Sequence, residues 1–371
     1  MTGKLTFVRS QAMAGWPLAL VAAVSVLTLD AACRAQLVPE RACVTLNKPL
    51  WIGVRVPEPD EPPAGMGTRV GADAERPAVR LLLIESPFAE PAPAPIASTD
   101  LPAADPGEPV RVDLAEVFPD LWRAAPARVR YVQLEVGGEP VHAPLLLIPM
   151  LPPSYAPRVD RAGVPVFLAP ASAPEAFSGY WLLPDRDAVV TVASKELRFR
   201  LRADAAPRSV MAFRALVDHG FYDDTPVVRI ASLRARPEPD ILQFGDPTGT
   251  GLGGPGTMLD LEDSPLRQGF GVLSFARAAD PNSAGSQVVV GLSGEGVRTL
   301  QGRYAAFGQL LGVEAGEHLL SLAKTPVDDQ GRPREPLLIE TARLVDAAPL
   351  GGGLEPANDP TSPGPGGAGG R

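Results

Sequence analysis

The chain has 371 residues and a formal net charge of −9, which argues against nucleic acid as a partner because that ligand demands a basic stripe. Its 45% hydrophobic content is normal for packed globular material, whereas 43 prolines and 37 glycines argue against long helices and for short strands joined by turns. Two cysteines, Cys33 and Cys43, and three scattered histidines, His142, His219 and His318, make no zinc spacing, so no zinc site is expected.

Residues 1–35 read as an export signal. Lys4 and Arg9 give a positive start, residues 12–29 are apolar without a charge, and small residues follow up to Ala35. This order predicts a protein delivered to the periplasm or the extracellular space. Three outcomes stay open. Cleavage after Ala35 would leave Cys43 as the only cysteine. A lipid-modified Cys33 would tether the protein to a membrane, although Asp30 stands where such signals carry leucine. An uncleaved apolar run would be an anchor, since its length approaches a membrane span.

Residues 36–150 hold short strand-like runs at 50–56, 79–84, 110–112, 129–136 and 143–148, with Gly137-Gly138 as a hairpin turn between the last two. Asp113 is placed to cap one short helix over 114–118. The pattern predicts an antiparallel β-sandwich-like domain, without a recognisable catalytic motif. Residues 151–179 read as a proline-rich linker.

From 180 to 347 the texture changes. A strand hairpin over 189–201 precedes an amphipathic helix with Pro207 near its start, apolar Val210, Phe213, Leu216 and Val217, and a stop at Gly220. Short strands resume, interrupted by a second helix near 316–323. The tail from 348 to 371, rich in glycine and proline, has nothing to bury and is expected to be disordered. The run Gly249-Thr250-Gly251-Leu252-Gly253-Gly254 satisfies a dinucleotide glycine pattern. Pro255, Gly256 and acidic residues follow it where a helix would be needed, so the nucleotide reading is rejected.

The order of short motifs from Leu197 to Val345 resembles the cyclophilin-type peptidyl-prolyl isomerases. Ala206 to Val217 is similar to the first helix of that family, and Gly220 to Thr225 to the turn after it. Val227-Val228-Arg229-Ile230 occupies the place of the Phe-His-Arg-Val strand. Gln243-Phe244-Gly245-Asp246-Pro247-Thr248-Gly249-Thr250-Gly251 looks like the Gln-Gly-Gly-Asp-Pro-Thr-Gly-Thr-Gly loop, and Gly271 to Ala276, Asn282 to Gln287 and Phe307-Gly308 follow in the family's order. The resemblance implies a mainly β protein whose second domain is an eight-stranded antiparallel barrel closed by two helices. It also implies action on proline-containing segments, here those of exported proteins, without metal, nucleotide or covalent intermediate.

Residue by residue, the resemblance gives Arg229 the catalytic role and Gln243 and Gln287 the grip on the substrate backbone. Ile241, Val289, Leu300, Ala276 and Arg277 then line the substrate cleft. The family's phenylalanine falls at Asp240, its second pocket aromatic at Val289, its tryptophan and histidine at Thr299 and Tyr304, and its asparagine at Arg277. The lost aromatics imply a weak isomerase. The alternative is a barrel that binds proline segments or a partner without turnover.

Overall fold

The computed structural model describes residues 36–56, 77–85, 87–88, 94–102, 109–123, 128–151, 157–167, 177–234, 236–353 and 355–357. Residues 1–35, read as an export signal and including Cys33, lie outside these residues, and no helix among the described residues is long and apolar enough to cross a membrane.

The first half is a sandwich of two antiparallel sheets. β1 (Gln36–Pro39), β3 (Trp51–Arg55) and β6 (Val110–Asp113) form the smaller sheet in the order β1-β3-β6. The larger takes β2 (Cys43–Thr45), β4 (Val79–Glu85), β5 (Ala97–Asp100), β7 (Arg130–Val136), β8 (Glu139–Pro149) and β11 (Gly179–Pro184) in the order β2-β11-β8-β7-β4-β5. Both expected local signals appear. Gly137 and Gly138, at φ 62° and 90°, turn β7 into β8. The Asp113 carboxylate accepts from the Ala115 N–H at 2.9 Å and so caps α1 (Leu114–Val117).

The six-stranded sheet is buried on both faces. Alternation at period two sends Leu81, Leu83, Val132, Leu134, Leu145, Leu147, Tyr180 and Leu182 into the sandwich core. Their neighbours Leu82, Ile84, Tyr131, Leu146 and Ile148 join the core of the barrel that follows. This is why 81–84 and 143–148 read as unbroken apolar runs.

The domain boundary expected at residue 180 is displaced by the same sheet. Residues Gly179–Pro184 pair with β8, and the barrel begins at Arg186. Within the segment assigned to the linker, β9 (Arg158–Val159) and β10 (Pro165–Val166) pair as a small hairpin. The expected disordered tail is corrected at its start. The Leu350 N–H donates to the buried Gln133 side chain at 2.9 Å, Ala357 packs on the core, and Leu311 bridges Pro356. Residues 358–371 lie outside the described residues.

The barrel closes in the order β12-β13-β18-β16-β17-β15-β14-β19. Its strands are β12 (Arg186–Val192), β13 (Lys195–Leu201), β14 (Thr225–Ala231), β15 (Ile241–Phe244), β16 (Val272–Phe275), β17 (Val288–Gly291), β18 (Ala306–Leu310) and β19 (Leu338–Asp346). Every pairing is antiparallel. Phe275 stacks on Phe307 at 4.7 Å, and Phe213 of α2 (Pro207–Asp218) reaches the same ring at 5.2 Å. The helix closes one end because its buried stripe, Val210, Phe213 and Val217, faces this aromatic interior. Its first N–H groups donate to Glu262, from Arg208 at 2.9 Å and from Ser209 at 2.6 Å. α3 (Val313–Leu322) is the second helix of the barrel.

Candidate active site

Strand parity places the site on the outer wall. Along β14, β15 and β17 the residues Ile230, Leu242, Phe244, Val288 and Val290 point into the barrel core. Arg229, Ile241, Gln243 and Val289 therefore point outward. Register aligns three of them in one row, since Arg229 pairs with Gln243 and Gln243 with Val289. The outer face is not bare. The short 3-10 helix Gly296–Leu300 lays Val297 and Leu300 over Ile241 and Val289, with Ala276 and Tyr304 packed at the edge. The result is a cleft of about 360 Å³ with an apolar floor and a polar rim.

The rim is organised by a relay of side chains. Arg229 Nη2 donates to Gln243 Oε1 at 3.1 Å, and Gln243 Nε2 donates to Gln287 Oε1 at 2.6 Å. Gln287 Nε2 donates onward to the carbonyls of Gly251 and Gly253, at 3.0 and 2.8 Å. Gly331, at φ +78°, lets the turn from Asp328 to Arg332 approach Arg229 closely. A Cβ at Gly331 would lie 3.0 Å from the Arg229 Cγ and 2.9 Å from the Ile230 carbonyl oxygen.

The glycine-rich segment is a fixed loop rather than a phosphate cradle, and no helix follows it. Asp246, fully buried, accepts from the N–H groups of Thr248, Gly251 and Gly253 and from the Thr248 hydroxyl. Burial alone would raise this carboxyl. The hydrogen bonds, led by the Thr248 hydroxyl, outweigh it and hold the pKa at about 2.

Seven of the eight residues expected at the site line the cleft: Arg229, Gln243, Ile241, Val289, Leu300, Ala276 and Arg277. Gln287 does not. Its amide is spent on Gly251, Gly253 and Gln243, so it stands behind the cleft as a brace and positions Gln243. Asp240, aligned with a family pocket aromatic, is no wall either. It is fully buried, bonds Ser232, the Leu233 N–H and Arg236, and so anchors the connection between β14 and β15. Thr299 is exposed and off the cleft, whereas Tyr304 lines it. Sequence reasoning did not foresee Val228, Leu233, Thr250, Gly251, Gln330 and Arg332 in the lining. The last two come from a turn far downstream that carries no pattern of its own. Among the described residues there is no cluster of side chains able to hold a metal ion.

A family model described as cyclophilin type peptidyl-prolyl cis-trans isomerase/CLD matches residues 188–344, starting inside β12 and leaving the sandwich unmatched. The chain is 33% identical over 165 residues to peptidyl-prolyl cis-trans isomerase-like 1 of Neurospora crassa, covering 43% of this chain and 94% of that protein. It is 36% identical over 107 residues to peptidyl-prolyl cis-trans isomerase A of Mycobacterium tuberculosis, covering 28% of this chain and 57% of that protein. A crystal structure of a Cryptosporidium parvum cyclophilin type isomerase, determined in the presence of the dipeptide Ala-Pro, aligns with 29% identity and a TM-score of 0.38. That alignment spans 43% of this chain and 99% of the other.

Proposed function

The chain belongs to the cyclophilin-type peptidyl-prolyl cis-trans isomerases, and from that premise we propose that it works as a slow member of the family, exported to act on prolyl segments of proteins outside the cytoplasm. Rotation about an amide bond costs about 18–20 kcal/mol because resonance is lost, and an X–Pro bond isomerises unaided over tens to hundreds of seconds. Catalysis needs neither nucleophile nor base. It needs a grip on the proline ring and a fixed donor that the twisted amide engages better than the planar one.

Ile241, Val289 and Leu300 provide the grip. Arg229 provides the donor: its exposed, planar guanidinium is tethered by one N–H to Gln243, which leaves its other N–H groups for the substrate amide. As the bond twists, the nitrogen lone pair leaves conjugation and becomes an acceptor, and a hydrogen bond from Arg229 then favours the transition state over either ground state.

Activity below the family's ordinary level rests on one observation, the apolar floor. Val289 stands where the resemblance places an aromatic ring, so the floor offers the proline less surface. An isomerisation assay with a blocked prolyl tetrapeptide tests the reading: wild type should accelerate the exchange, and Val289→Phe should accelerate it further where the cleft tolerates the added volume. No acceleration by wild type would leave the barrel as a binding module.

Export rests on the charged, apolar, small-residue order of residues 4–35. Sequencing the mature N-terminus after expression in a secreting host tests it. A start at Gln36 or a modified Cys33 supports export, the second with a membrane tether. Residues 1–29 retained on a cytoplasmic product contradict it.

A further inference from the structure

The cleft is lined by three arginines and by no acidic residue. Arg229 comes from β14, Arg277 from the segment after β16, and Arg332 from the turn that ends at it. Other arginines around the rim are neutralised: Arg234 pairs with Glu295 at 3.2 Å, and Arg236 pairs with the buried Asp240. The three in the cleft form no ion pair with a described residue. Arg332 is compensated in part by Asp328, whose carboxylate accepts the N–H groups of Gln330 and Arg332 and whose charge is shared with Arg334.

Two of these charges, on Arg277 and Arg229, are held in place by side-chain contacts. Arg277 donates to the carbonyls of Arg303 at 2.8 Å and Ala278 at 2.9 Å, and its guanidinium lies 4.9 Å from the centre of the Tyr304 ring. Arg229 is fixed through Gln243. A cation immobilised before binding loses less entropy when it meets an anion. On a chain of net charge −9, a clustered positive cleft also gathers anionic segments and repels cationic ones.

We propose, building on the isomerase reading, that the cleft selects prolyl segments carrying an Asp or Glu side chain next to the proline, with Arg277 and Arg332 receiving the carboxylate. Arg229 remains occupied with the amide.

The test uses the full protein and end-blocked tetrapeptides, which carry no terminal carboxylate. Each holds one proline flanked on either side by Glu, Gln or Lys. The expected order of kcat/KM is Glu above Gln above Lys, with Glu over Gln by about threefold or more at low salt, the scale of a partly exposed ion pair. The preference should shrink on going to several hundred millimolar salt, and should vanish in the double variant R277Q/R332Q. Binding of the same peptides, followed by NMR shift titration, reads selectivity without turnover, so a failed isomerase reading is separable from a failed selectivity. Equal handling of Glu, Gln and Lys peptides by wild type in both measurements overturns the proposal. So does a Glu preference that salt and the double variant leave unchanged. If the double variant does not fold, the wild-type charge order and its salt response decide.

Discussion

Arg229 Nη2 lies 3.1 Å from Gln243 Oε1, across a register that pairs the two residues on neighbouring barrel strands. The strand pairing therefore orients the guanidinium that we propose meets the twisted amide. Gln287 extends the restraint to the glycine loop, and Gly331 extends it to the turn on the other side.

Gly331→Ala tests that restraint from a residue that contributes no side chain. Alanine at φ +78° costs about 1–2 kcal/mol. Its Cβ would also press on the Arg229 Cγ and the Ile230 carbonyl. The expected result is a modest fall in melting temperature and a disproportionate fall in kcat, measured by thermal unfolding and peptide isomerisation. Unchanged kcat in a destabilised variant would separate the turn from the chemistry.

Gln287→Ala should lower kcat/KM several-fold while leaving the cleft walls intact, because it frees Gln243 and two loop carbonyls at once. Amide exchange at Gly251 and Gly253 should rise in parallel. Lost activity without any rise in exchange would return Gln287 to direct substrate contact.

The sequence made the barrel legible and its partner less so. The spacing of Arg229, Gln243 and the glycine loop survives in linear order, so the motifs located the site within β14, β15 and the segment after them. Alignment with the family's pocket positions then pointed to Ile241 and Val289, which by residue type alone read as core. Two things were not legible. The role of Gln287 depends on carbonyls brought to it by Asp246, a contact no local pattern encodes. The boundary near 180 failed because β11 is sequentially next to the barrel yet hydrogen-bonded to β8, and strand partners across such distances leave no periodicity.

The shared face of the six-stranded sheet predicts one cooperative unit. Tyr131 is fully buried, packs edge-on to Phe88 at 6.1 Å and belongs to the barrel-side core. Tyr131→Ala should cost about 3–5 kcal/mol, the range for truncating a buried aromatic. Denaturant unfolding followed by sandwich and barrel probes should shift together. Two separate transitions, only one of them moved, would show that the halves fold independently.

Asp185 sits between β11 and β12, fully buried, with one carboxylate oxygen unpartnered. Burial pushes its pKa to about 7, against the pull of Arg200 and Arg214 and with the help of Asp187. The folded state thus keeps a proton that the unfolded state, with a carboxyl pKa of about 3.9, has released. Stability should fall as pH rises from about 4 to about 7, by up to about 1.4 kcal/mol per unit, and level off above. Asp185→Asn should remove this slope and be the more stable form at pH 8. Parallel stability curves for the two proteins would contradict the assignment.

The most direct test of the account compares wild type, Arg229→Lys and Arg229→Ala in isomerisation of one blocked prolyl tetrapeptide, with peptide affinity measured alongside. Removing the guanidinium should slow the reaction at least about tenfold, or about 1.4 kcal/mol of transition-state stabilisation, while affinity falls less because Ile241, Val289 and Leu300 remain. Lysine should not restore the rate, since a point charge cannot hold Gln243 and reach the amide together. An Arg229→Lys enzyme as fast as wild type, or a wild type without acceleration, would contradict the central claim.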